Sequence, residues 1–220
     1  MYAALAEEWV RDGLFEHIVH VPSGPAEQPW FDLGFGRHTA VATRDLRPVD
    51  DVSARVEVRI AGPEDLATAL EICDSGTDFH ATSPILIPVT HSDTDHALRE
   101  KLKKALEDEA QAVLLAHDGD RDTGILWIQP GVSSPLATPE KALYIGDTAV
   151  LEKSRGAGVG RALLNAAIQW AGDHGYEHLL LHFVTANALS RSFWTNNGFE
   201  PVMYHLRRSV DDRIAWARPK

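Results

Sequence analysis

Residues 154–164 read SRGAGVGRALL, and this run limits the fold more than any other part of the chain. Apolar residues precede it up to Val150, and a helical pattern follows it. Val159, Leu163, Leu164, Ala167, Ile168 and Ala171 recur at helical spacing, with Gly175 just past the end. A strand must therefore turn directly into a long helix. Glycines at alternate positions 156, 158 and 160 let the backbone turn tightly and approach a ligand. The free N–H groups of a helix start, together with the helix dipole, favour an anion there, and Arg155 and Arg161 add positive charge. The run predicts a phosphate or pyrophosphate cradle. Two well-known cradles fail on spacing, because Arg161 stands where the dinucleotide fingerprint needs its third glycine. Arg161 also stands where the nucleotide-triphosphatase loop needs its second.

Around this turn the pattern predicts a mixed α/β layer structure. From residue 55 the order is strand, helices, three strands, helix, strand, helix and strand. The three strands are AVLLAHD, TGILWIQP and KALYIGDTAVL. Pro63 opens a helix at its first turn, residues 95–110 form another, and HLLLHFVT reads as a strand covered on both faces. Ahead of these, 2–13 is an amphipathic helix, HIVHVPSG a strand, the stretch through Trp30 a short helix and 37–45 a strand. Residues 46–53 are polar and proline-containing, as a linker would be.

The pattern that fits the glycine run is R/Q-x-x-G-x-G/A, filled by Arg155, Gly158 and Gly160. It resembles the acetyl-CoA loop of the GNAT family of N-acetyltransferases. YIGDTAVLEKSRGAGVGRALL is similar to that family's fourth strand, loop and third helix. LLLHFVTANALSRSFWTNNGF is similar to its fifth strand and fourth helix, with Asn187 at the family's asparagine and Gly198-Phe199 at its closing pair. The resemblance covers about 140 to 205 and implies an α/β (α+β) fold with a mixed, mostly antiparallel sheet flanked by helices. Acetyl-CoA would be the co-substrate. Backbone groups of Ala149, Val150 and Leu151 would hold the pantetheine arm between splayed strands. Arg155, Gly156, Ala157, Gly158, Val159, Gly160 and Arg161 would hold the pyrophosphate, with Asn187 and Ser190 beside them. Two function classes stay open: transfer of acetyl to a small-molecule or peptide amine, and a non-catalytic acyl-CoA binder or sensor. The resemblance does not name the acceptor, which would depend on residues 75–95 and the cleft lining.

WFDLGFG (30–36) and FWTNNGF (193–199) share a Trp four residues ahead of Gly-Phe. A shift of 161 pairs Ala6, Trp9, Asp12, Glu16 and His17 with identical residues, and a shift of 164 pairs Trp30, Gly34 and Phe35 with theirs. Residues 1–48 therefore resemble the C-terminal half of the same fold, as in tandem members of the family, placed ahead of a complete unit at 55–220. This first half has no glycine loop. Trp9, Phe15, Trp30 and Phe35 are expected to be buried against the complete unit or a second chain, which also allows a homodimer.

Direct transfer needs a proton taken from the amine and stabilisation of the departing thiolate. Many family members use a tyrosine four residues before Gly-Phe, where this chain has Trp194. An indole N–H is no useful acid, so Trp194 reads as packing. Tyr204 is the candidate acid, with Ser190 behind it, and Asp147 the candidate base acting through a water. His182 faces either the core or the cleft, and Cys73 reads as structural. HSDTDH (91–96) gathers potential metal ligands, but its place before a helix makes Ser92, Asp93 or Thr94 an N-cap, and no metal is expected. The net charge of −11 argues against nucleic acid and anionic membranes as partners. The acidic N-terminus and the lack of a membrane-length apolar run predict a soluble cytoplasmic protein.

Overall fold

The computed structural model describes residues 2–50, 55–87, 91–131 and 138–217, with the side chains of 91–95 excepted. The elements are α1 (Tyr2–Arg11), β1 (Glu16–Pro22), α2 (Gln28–Asp32), β2 (Gly36–Asp45), β3 (Glu57–Ile60), α3 (Leu66–His80) and α4 (His91–Ala105). Then follow β4 (Ala112–His117), β5 (Asp122–Pro130), β6 (Ala142–Val150), α5 (Val159–Asp173), β7 (His178–Val184), α6 (Ala188–Asn196) and β8 (Glu200–Ser209). All eight strands form one sheet in the order β1-β8-β2-β7-β6-β5-β4-β3. Every pairing is antiparallel except β6 with β7. The architecture is the mixed, mostly antiparallel one that the family resemblance implies.

Alternation along the strands divides the apolar residues between two faces. Leu114, Leu126, Ile145, Leu179 and Leu181 meet Val159, Leu163, Leu164 and Ala167 of α5 on one face. On the other, Val113, Leu115, Ile125 and Trp127 meet Ala69, Ile72 and Cys73 of α3 and Leu102 of α4. Gly124 lets α5 sit close to the sheet. A Cβ there would stand 2.7 Å from Val159 Cγ1 and 3.0 Å from Leu163 Cδ1.

The N-terminal strands do not form a sheet of their own. β2 lies between β7 and β8, and β1 closes the edge outside β8. Packing of the first 48 residues differs from expectation. Phe35 is buried, but Trp9, Phe15 and Trp30 are half-buried and α1 has no buried residue, whereas α5 has eight. α5 rests on β4, β5 and β6, whereas α1 packs at the sheet edge, through Tyr2 and Trp9 on His17 of β1 and through Tyr2 on Trp30 and Phe35. α4 begins at His91, so Ser92, Asp93 and Thr94 lie within the helix rather than capping it; of the potential metal ligands there, the side chains of His91, Asp93 and Asp95 lie outside the described residues and His96 is exposed. Among the described residues no helix is long and apolar enough to cross a membrane.

Candidate active site

The parallel pairing of β6 with β7 runs from Ala142–His178 to Ile145–Leu181 and stops, although β6 continues to Val150 and β7 to Val184. The cause lies in β6. Leu126 pairs with Thr148 and Ile128 with Ile145, so Gly146 and Asp147 together oppose Trp127. A bulge of this kind bends its strand and shifts which side chains face which way. Ile145 packs in the core under α5, and Ala149 packs against the α3–α4 core. Beyond the bulge β6 follows β5, β7 follows β2, and an opening is left between them.

The backbone groups facing this opening follow from the ladder. Leu151 N–H donates to Thr123 O at 2.8 Å. Alternation along an antiparallel strand then points Ala149 at β5 and directs Thr148 and Val150 into the opening. Of the three residues expected to hold an extended ligand, Val150 offers its backbone, Leu151 has spent its N–H on β5, and Ala149 lines the α3 side. Arg155 covers the Val150 carbonyl, donating from Nε at 3.1 Å, and its guanidinium lies 5.0 Å over the Phe79 ring.

The chain leaves β6 through a single 3-10 turn, Glu152–Ser154, and enters α5 through two left-handed glycines, Gly156 (φ +81) and Gly158 (φ +90). A side chain at either position would strain the backbone. The first helical bond is Ala162 N–H to Gly158 O at 3.0 Å. The N–H groups of Val159, Gly160 and Arg161 precede that bond and stand at the positive end of the helix. Gly160 has a different role, since its Cβ would stand 3.0 Å from the Phe193 ring of α6. Absence of that side chain brings α6 against α5. Asn187 caps α6, buried, its side chain accepting from Ser190 N–H at 3.0 Å. Ser190 thus serves the cap with its backbone.

Asp147 lies on the bulge, on the α3 side of the sheet. It is accessible to solvent, yet the protein around it desolvates the carboxyl enough to raise its pKa, against the pull of Lys101 and His80. His80, the last residue of α3, is held neutral to lower pH by its own burial, with Asp147 opposing. α3 comes this close because Gly76 would place a Cβ 3.2 Å from that of Ala149. Nothing in the sequence ties His80 to Asp147; the fold puts each within range of the other's charge. Beyond the last β6–β7 pair stands His182, its ring 5.9 Å from Tyr144 and 5.3 Å from His205. Cys73 is buried, which pushes its thiol up.

Tyr204 is not brought to the opening. It lies on the α5–α6 face of β8, under the Arg37 guanidinium at 4.1 Å, and β2 and β7 separate its strand from β6. Insertion of β2 between β7 and β8 is what moves it away. Trp194 is buried, edge-on to Phe199 at 5.1 Å, and serves packing. Among the described residues no group of acidic, histidine or cysteine side chains is arranged to hold a metal.

Several comparisons bear on this arrangement. A 33% identical relative over 100 residues is an uncharacterized N-acetyltransferase, YhfO, of Bacillus subtilis (strain 168); the match spans 45% of this chain and 65% of that protein's length. The crystal structure of a GCN5-related N-acetyltransferase from Sphaerobacter thermophilus superimposes with a TM-score of 0.63 at 15% identity, covering 94% of this chain and 66% of that one. The PaiA N-acetyltransferase of Thermoplasma acidophilum, solved in complex with coenzyme A, superimposes with a TM-score of 0.54 at 15% identity, covering 70% and 98%. Residues 79–199, which contain the opening, the glycine turn and α6, match the family model for acetyltransferases, and the chain belongs to the acetyltransferase (GNAT) family.

Proposed function

We propose that this protein is an acetyl-CoA-dependent N-acetyltransferase that passes an acetyl group directly to a primary amine of a small molecule or peptide, in the cytoplasm. The observation that carries the reading is the strand opening at 146–150 leading into a left-handed glycine turn and the positive end of α5. Acetyl-CoA would supply the acyl group activated as a thioester. The site fits it: the amides at the start of α5 would face an anion, and Val150 and Thr148 turn backbone edges into the opening, with the Val150 carbonyl held by Arg155. Swinging Arg155 toward a pyrophosphate frees that carbonyl for an amide of the pantetheine arm and places a cation on the phosphates.

Asp147 takes, through a water, the proton that the amine loses. Its raised pKa makes it a stronger base than an ordinary aspartate. His80, whose charge acts on the same carboxyl, is our candidate for the next stop of the proton on its way to solvent. With Trp194 in the core and Tyr204 three strands away, no side chain on α6 or β8 is assigned to protonate the thiolate, which leaves as the anion or takes a proton from water. The test is release of free CoA with a panel of amines. Turnover with one class of amine supports the proposal. Tight acetyl-CoA binding with no release to any amine leaves an acyl-CoA binding protein in its place.

A further inference from the structure

β2 and β8 make the closest contact between the first 48 residues and the rest, and their pairing has a two-fold form. A shift of 164 turns Gly36 into Glu200 and Thr43 into Arg207; Gly36 pairs with Arg207 and Thr43 with Glu200. Each strand thus meets the other as it would meet a copy of itself, as across a two-fold axis. The flanking pairs agree when α1–β1 is shifted by 162, one residue more than the tryptophan identities suggest. β2 pairs Asp45 with His178 and Thr39 with Val184, and those shifts map them onto Ser209 with Glu16 and Met203 with Pro22, both of which pair.

The same shifts match local detail. Gly13 and Gly175 both have φ +79 and donate to Val10 O and Gly172 O, each at 3.1 Å. Phe35 N–H donates to Trp30 O at 3.0 Å and Phe199 N–H to Trp194 O at 3.1 Å, with ring pairs at 5.3 and 5.1 Å. The arginines cross over. Arg44 of β2 lies against the second corner, 3.9 Å from where a Gly198 Cβ would be and 5.8 Å over Phe199. Its counterpart Arg208 of β8 lies 3.8 Å from where a Gly34 Cβ would be.

We infer that residues 2–45 occupy, within one chain, the place that the C-terminal half of a second copy would take in a two-fold sheet, with β2 and β8 exchanged between the halves. The surface of β7 and β8 that would accept a second chain is filled from within. The connection allows it. β2 and β3 are five strand steps apart, about 24 Å, and the eleven residues 46–56 can span roughly 40 Å when extended. One half keeps the glycine turn and the strand opening, and the other keeps the scaffold alone.

Two measurements on the full chain test this. With Cys73→Ala as background, Thr43→Cys and Glu200→Cys place a cysteine pair across registered neighbours of β2 and β8. Oxidation should give an intrachain disulfide on a single-chain band at every protein concentration. A disulfide-linked dimer would show that β2 comes from another chain and overturn the proposal. Hydrogen exchange tests the crossing: Arg208→Ala should speed exchange at Gly34 and Phe35, and Arg44→Ala at Gly198 and Phe199. If each substitution loosened only the corner nearest in its own half, the exchange of strands would be wrong.

Discussion

Gly124 joins the fold to the site, and replacing it with alanine tests that join. The new Cβ would lie 2.7 Å from Val159 Cγ1, 3.0 Å from Leu163 Cδ1 and 3.4 Å from Ala149 O. Carbon contacts sit at about 3.5–4.0 Å, so the start of α5 must lift by roughly 1 Å. Both contacted side chains are buried. Overpacking of this kind costs about 1–3 kcal/mol, and at roughly 2–4 °C per kcal/mol for a chain of this size Tm should fall by several degrees. The lifted turn is the one that presents the amides of 159–161. If these amides hold the pyrophosphate, a misplacement near 1 Å weakens hydrogen bonds worth about 1.5–3 kcal/mol each to a charged group. Acetyl-CoA affinity should then drop about tenfold or more. Differential scanning fluorimetry and calorimetric titration read the two effects. A variant with wild-type Tm and affinity would show that α5 does not rest on β5 at Gly124, and one that loses stability with affinity intact would detach the turn from binding.

Arg155→Ala should weaken acetyl-CoA binding by about 1–3 kcal/mol, the value of a charged hydrogen bond, in calorimetric titration. Asp147→Asn should lower kcat/KM and remove the acidic limb of its pH profile, a limb lying above the usual carboxylate value of 3.8 because desolvation by the surrounding protein raises this group. His205 is held down to about 4 from 6.5, first by burial and then by His20, His182 and His38. Its folded form resists protonation more than the unfolded chain does, so stability is fully present above 6.5 and is lost as pH falls from there toward 4. Thermal unfolding across that window should show the loss, and His205→Gln should make it shallower.

The strand–glycine turn–helix unit was legible because its signals are local: glycines at alternate positions, an apolar strand before and a 3.6-residue stripe after. Asn187, expected beside the cofactor from the family resemblance, is seen to cap α6. What the sequence did not carry was long-range pairing. Tyr204 was placed by chain order, as if β8 lay next to β7, but β2 fills that gap from more than a hundred residues away. The bulge at Gly146 and Asp147, which opens the sheet, has no local signature beyond a glycine. His80 comes within range of the Asp147 charge as α3 settles on β6, where Gly76 sits against Ala149. The matched tryptophans Trp9 and Trp170 suggested a shift of 161, whereas the hydrogen bonds around Gly13 and Gly175 follow 162. Large side chains dominate a count of identities, while the left-handed glycine at the end of a helix fixes the backbone.

The central claim is that the turn at 155–161 grips the pyrophosphate of acetyl-CoA. Calorimetric titration of the full chain with acetyl-CoA, in parallel with Gly158→Val, tests it most directly. A branched side chain at φ +90 would strain the turn and stand over the amides of α5, so the wild type should bind one acetyl-CoA per chain, and the variant should lose that binding while its circular dichroism stays native. No heat of binding to the folded wild type at millimolar acetyl-CoA, or equal affinity in a folded Gly158→Val, would contradict the account.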